Sequence, residues 1–192
     1  MSTRALRLTG GEWRGRRLTF VPEDDLRPTL SQARERLFNW LQYDLAGRRV
    51  LDAFAGSGIL GLEALSRGAA EVVFVELSRT AAGQIERHLE VLAARDRGVV
   101  HAVDALDWMT RQSMPFDLVF LDPPFGGELF QRSLDTLAQS GCVHDGTLVY
   151  LETPRDVTLH WPPGWVLYKE TRKGSIHQRL LRAAPDSAEA EQ

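Results

Sequence analysis

After residue 48 the chain alternates short β-rich runs with helical patterns, and that alternation most constrains its fold. The strand candidates are Val50–Phe54, Glu71–Glu76, Gly98–Val103, Phe116–Leu121, Thr147–Glu152, Trp165–Thr171 and Ser175–Leu181. Runs such as VVFV at Val72–Val75 and LVFL at Leu118–Leu121 are apolar on both faces, as parallel strands covered by helices require. Helical patterns separate the first five runs. The clearest is Thr80–Ala94, with Ala81, Ile85, Leu89 and Leu92 at three- and four-residue spacing. Such steps predict a doubly wound α/β sheet, mostly parallel, with right-handed crossovers. The last two runs are joined only by a short turn around Lys173-Gly174, which predicts an antiparallel hairpin at the sheet edge. The proline-broken segment TPRDVTLHWPPG before it leaves room for a short helix at most.

The first 48 residues do not join this alternation. Ala5–Leu8 and Arg16–Val21 are short strand candidates around Gly10-Gly11. Thr29–Tyr43 is a helix candidate, with Thr29 and Gln32 as a capping box and Leu30, Ala33, Leu37 and Leu41 as its apolar stripe. The expected organisation is an arm over residues 1–48, a single α/β domain over 49–183, and an acidic, frayed tail over 184–192. Net charge is −3, but residues 1–50 carry +4 and the remainder −7, so a basic front end sits on an acidic body. Such a front end meets polyanion or is simply a solvated arginine-rich surface. Trp13, Arg14, Arg16 and Arg17 mix an aromatic ring with cations, which suits RNA phosphate and base contact. Lys169–Lys173 (KETRK) is a further phosphate candidate.

The single cysteine, Cys142, excludes an internal disulfide and fits a reducing compartment as a small buried residue. The five histidines show no paired ligand spacing, so no metal is expected. The longest apolar runs are strand-sized, and the opening MSTRALRLTGGEWRGR lacks the apolar core of a signal peptide. A cytoplasmic monomer is the expectation.

The densest motif is VLDAFAGSGILGLEAL, where a strand feeds a loop with Gly56, Gly58 and Gly61 and a helix begins at once. Such a loop lets backbone N–H groups approach a ligand at a helix N-terminus. The glycines match the GxGxxG dinucleotide fingerprint, with Glu76 where a ribose-binding acid belongs, so an NAD(P)-dependent oxidoreductase is one reading. Asp52 argues for another. Its carboxylate, on the strand before the loop, repels a pyrophosphate and attracts the ammonium of an amino acid. The chain also supplies no second domain or recognisable catalytic set for hydride transfer. S-adenosylmethionine (SAM) combines an ammonium, a carboxylate, a ribose and an adenine. Glu76 then accepts from the ribose hydroxyls, Asp104 from the adenine amino group, and the Ala105 N–H meets a ring nitrogen. Acids 52, 76, 104 and 122 all close strands one to four, at the edge where open α/β sheets bind ligands.

The stretch FLDPPF, Phe120–Phe125, ends the fourth strand. Proline has no N–H and a fixed φ, so Pro123 and Pro124 leave carbonyl acceptors on a stiff turn. Asp122 and the Pro123 carbonyl can accept both N–H bonds of an exocyclic amino group and orient its nitrogen for attack. Phe125 offers a ring for a flipped base. Transfer of an already activated methyl then needs positioning rather than a metal or a covalent intermediate. D-x-F-x-G-x-G with a downstream D-P-P-F resembles the amino-group methyltransferases of the class I SAM fold. With GGEWRGRRL, LRPTLSQARERLFNWL and LDAFAGSGILGLEALSRGA, the chain closely resembles the RsmD family of small-subunit rRNA guanine-N2 methyltransferases along nearly its whole length.

The resemblance implies SAM held by the Asp52–Gly58 loop, including Phe54, Gly56 and Gly58, with Glu76 and Asp104. It implies chemistry at Asp122–Phe125 on a guanine of 16S rRNA, in an assembled or assembling small subunit. It also implies an arm that contacts rRNA and covers the cofactor, with Arg27 and Thr29 as candidates. Two departures stand out. Ser78 occupies the place where the family often has a second acid beyond the ribose acid, and LSQARER, with Arg34 and Glu35, differs from the usual helix start. The motifs alone leave guanine N2, adenine N6 and cytosine N4 open, and sister families place the same clamp on DNA adenine.

Overall fold

A computed structural model of the chain describes residues 4–20, 31–124 and 127–183. Arg27, Thr29 with its capping box, Phe125 and the 184–192 tail lie outside the described residues. The chain forms two compact units, divided after Asp104.

In the first unit, β1 (Arg4–Arg7) and β2 (Arg17–Phe20) make an antiparallel ribbon in the register Arg4↔Phe20 to Arg7↔Arg17. Helix α1 (Ser31–Trp40) follows. Strands β3 (Arg49–Asp52), β4 (Glu71–Val75) and β5 (Gly98–His101) are parallel, with β4 in the middle. Helix α2 (Ile59–Ser66) follows β3 through the glycine loop. Gly58 is its N-cap at φ 74°, a left-handed conformation that disfavours any other residue. Every residue of α2 is buried, Glu63 among them. The sheet accounts for one side of the helix, and the N-terminal ribbon covers another. At that contact Glu12 N–H donates to the Ser66 carbonyl at 2.7 Å, and a side chain on Gly11 would collide with the same carbonyl. Here glycine is required by a close backbone approach.

Helix α3 (Arg79–Val91) buries Ala81, Ala82, Ile85 and Leu89, the face its periodicity predicts. It stops before Ala94 because Ala93 turns left-handed at φ 53°, and Ala94 N–H bonds back to the Leu89 carbonyl at 2.8 Å. His88 on this helix donates through Nε2 to the Thr19 carbonyl of β2 at 2.9 Å, and burial lowers its pKa.

The second unit holds α4 (Ala105–Met109), β6 (Leu118–Leu121), α5 (Gly127–Gln139), β7 (Leu148–Pro154), β8 (Val166–Lys173) and β9 (Ile176–Arg182). Strands β6 and β7 are parallel, from Leu118↔Leu148 to Leu121↔Leu151. The last strand doubles back inside: β9 pairs antiparallel with β7, and β8 lies beyond it. Composition explains the order. The QRLL core of β9 is buried, whereas the charged KETRK end of β8 is mostly exposed, as an edge strand should be. The segment between β7 and β8 contains no helix. Cys142 is buried. The architecture is the mostly parallel α/β sheet with an antiparallel C-terminal hairpin that the alternation predicted.

Candidate active site

Asp52 closes β3 and is 2% exposed. Its Oδ2 accepts from the Gly61 N–H, in the first turn of α2, at 3.0 Å. Burial is the main reason its pKa rises from 3.8 to about 7; the Gly61 bond opposes the rise and the charge of Glu76 adds to it. A carboxylate so far from water, pressed by a second acid and paired with no cation among the described residues, fits an ammonium ligand.

Glu76 stands just past β4 and is half-buried. One oxygen accepts from the Gly56 N–H at 2.7 Å and the other from the Ser78 N–H at 2.8 Å. It therefore shapes the glycine loop. Ser78 is the N-cap of α3, its hydroxyl accepting from the Ala81 N–H at 3.2 Å. The absence of a second acid there leaves a helix cap in its place. Phe54 is half-buried in the loop, and Gly56 and Gly58 are buried. Asp104 is exposed beyond β5, and Ala105 is the buried first residue of α4.

On the ribbon, Trp13 is 5% exposed, its N–H donates to Ser66 Oγ at 2.9 Å, and the Arg97 guanidinium lies 5.2 Å over its ring. The ring is packed into the fold and offers no stacking face for a base, which corrects the expectation for Trp13. Arg14, Arg16 and Arg17 are exposed.

A network missed in the sequence ties this ribbon to α2. Glu63 is fully buried and accepts from Thr9 N–H at 2.9 Å, Thr9 Oγ1 at 2.8 Å and Arg67 Nε at 2.8 Å. Arg34, also buried, lies 3.9 Å from Glu63 and donates to the Arg7 carbonyl at 2.7 Å. The signal was a lone acid in the otherwise apolar helix ILGLEALS.

In the second unit, Asp122 follows β6 half-buried, Pro123 is buried and Pro124 exposed. Tyr150 of β7 is fully buried, edge-on to Phe120 with ring centroids 6.3 Å apart. Its hydroxyl donates to Glu152 at 2.8 Å and accepts from the Gln178 amide at 2.6 Å. Burial above all, then the charge of Glu152 and more weakly that of Asp122, push the Tyr150 pKa well up. Burial likewise raises that of Glu152, against hydrogen bonds from Tyr150 and Gln178. This group was also missed, although Glu152 closes the fifth strand candidate, Thr147–Glu152, as the four proposed acids close the first four.

The family model described as conserved hypothetical protein 95 matches residues 6–182. A ribosomal RNA small subunit methyltransferase D of Haemophilus influenzae is 40% identical over 180 residues, 92% of this chain and 93% of its own. A solved Escherichia coli protein described as methyltransferase yhhF superposes with a TM-score of 0.87 at 35% identity, over 94% of this chain and 99% of its own. A Synechocystis magnesium protoporphyrin IX methyltransferase, solved with bound SAM, shares the fold at a TM-score of 0.62 and 19% identity, over 80% of this chain and 79% of its own. The chain belongs to the conserved hypothetical protein 95 family, the RsmD family, and is a SAM-dependent methyltransferase of the class I α/β fold.

Proposed function

We propose that the chain methylates the exocyclic N2 amino group of a guanine in the 16S rRNA of the small ribosomal subunit. The observation that carries this reading is the turn Asp122–Pro123–Pro124 directly after β6, an acceptor pair for an amino group, in a chain 40% identical to a ribosomal RNA small subunit methyltransferase D. Bound SAM supplies an activated methyl whose sulfonium loses its charge on transfer. Asp52 pairs with an ammonium, Glu76 accepts from ribose hydroxyls while holding Gly56, and Asp104 and Ala105 meet the adenine edge. Asp122 and the Pro123 carbonyl accept the two amino N–H bonds, so the nitrogen lone pair is held out of conjugation and aimed at the methyl. Phe125 stacks on the base, Arg27 and Thr29 of the arm cover the cofactor, and exposed Arg14, Arg16 and Arg17 contact phosphates.

The test is transfer of tritiated methyl from SAM to undermethylated small subunits, free 16S rRNA and duplex DNA, followed by nucleoside analysis. N2-methylguanine from the ribosomal substrates alone supports the reading. Label appearing as N6-methyladenine in DNA would replace it with the sister activity.

A further inference from the structure

The side chains of Tyr150 and Glu152 lie on one face of β7, two residues apart, and the register Leu121↔Leu151 sets Asp122 level with Glu152 on the neighbouring strand. Phe120 meets Tyr150 edge-on, and Tyr150 feels the charge of Asp122, so the turn after β6 and the end of β7 present their acids on that face. Glu152 is held by hydrogen bonds from the Tyr150 hydroxyl and from Gln178, which also donates to Tyr150, yet the residue is only half-buried. A buried tyrosine and a buried glutamine orient a carboxylate that still reaches the surface. In the proposed mechanism this carboxylate has no task.

We propose that Glu152 accepts the ring N1–H of the target guanine beside the amino group clamped by Asp122, and so selects guanine over bases with an unprotonated ring nitrogen at that position. This deepens the guanine-N2 reading and rests on it. Guanine is the base whose Watson–Crick edge sets two donors side by side, the N1–H and the N2 amino group. Two neighbouring carboxylates match that pair. Adenine and cytosine place a lone pair beside their amino group, which an ionised Glu152 repels, so the same contact attracts the right base and rejects the wrong ones. Tyr150 is a positioning residue: its O–H fixes the Glu152 oxygen and keeps the carboxylate from swinging away.

2-Aminopurine separates this role from the clamp, because it keeps the 2-amino group but carries a lone pair at N1. Single-turnover transfer by the full-length, SAM-saturated protein should be measured on RNA carrying guanine or 2-aminopurine at the target position. Wild type should prefer guanine by roughly 10- to 100-fold, the scale of one charged hydrogen bond. In Glu152→Gln that preference should shrink to within a few-fold, because an amide can accept from one base and donate to the other, while calorimetry shows wild-type SAM affinity. Loss of the guanine O6 acts equally on both proteins and cancels in the comparison. Wild type that methylates both bases equally, or a folded Glu152→Gln protein with the full preference, would overturn the proposal. Wild type that makes no N2-methylguanine at all overturns the underlying reading, and this role with it.

Discussion

Asp52 is an acid whose burial makes its charged form costly. Its folded pKa is about 7 against 3.8 for an ordinary aspartate. The folded state thus holds the proton longer than the unfolded chain. The contribution of this group to stability is complete below about pH 4 and is lost as pH rises through about 7. An ammonium partner lowers the folded pKa, so SAM binding should release a proton near neutrality. SAM affinity should fall as pH drops from about 7.5 to about 5.5, by at most about tenfold per unit. Calorimetry in buffers of different ionisation enthalpy reads the released proton directly, and Asp52→Asn should remove both the release and the pH dependence. At Asp122 the expectation concerns chemistry rather than binding. Asp122→Ala should nearly abolish single-turnover transfer while leaving the fold and SAM affinity intact. Asp122→Asn should be milder, because the amide oxygen still accepts one N–H. Near-wild-type rates in a folded, SAM-saturated Asp122→Ala protein would show that the stretch is only a turn.

At the scale of elements, the N-terminal ribbon is fastened to the helix that follows the glycine loop. The fastener is Glu63, whose carboxylate collects Thr9 and Arg67, with Arg34 close by. Glu63→Gln leaves a buried arginine without its counter-charge and should destabilise the protein by about 3 kcal/mol. A lower urea midpoint at unchanged slope is the expected signature. An unchanged midpoint would mean that the ribbon is held without this charge, by packing and the hydrogen bonds to Ser66. Because the ribbon is anchored, its exposed arginines form a fixed basic surface. Replacing Arg14, Arg16 and Arg17 with Ala should weaken RNA binding and reduce the slope of log affinity against log salt by roughly 2–3 units. SAM affinity in the same triple mutant should change little. Normal rRNA binding and methylation at physiological salt would make these arginines ordinary solvated surface.

For the whole molecule, SAM at about one hundred times its Kd should add about 2.7 kcal/mol of stability and raise the melting temperature by roughly 5–10 °C, whereas NAD or NADP at the same concentration should not. An equal shift with NAD would revive the dinucleotide reading that the glycine spacing allowed. The class of fold and the succession of strands were legible in the sequence because they depend on local matters: alternation of apolar runs with helical periods, prolines that end strands, glycines that permit left-handed φ. The acids that follow strands were legible for the same reason, since each sits within a residue or two of its own strand candidate's end. Which polar groups meet across the fold was not legible. Glu63 finds Thr9 across 54 residues, and Tyr150 finds Gln178 across 28. Trp13 was read among exposed arginines as a base-stacking ring, yet packing turned it inward under Arg97. Ser78 was read as a missing acid and is a helix cap. The order of β8 and β9 needed the sheet itself, because either strand of a hairpin can pair with β7 until burial selects the more apolar one. By itself, the sequence determined which elements form and roughly where they end, within a few residues, since those choices are made locally along the backbone. Only the tertiary structure decided which polar groups are buried together, because desolvation and hydrogen-bond partners exist only once distant segments exclude water from the same place.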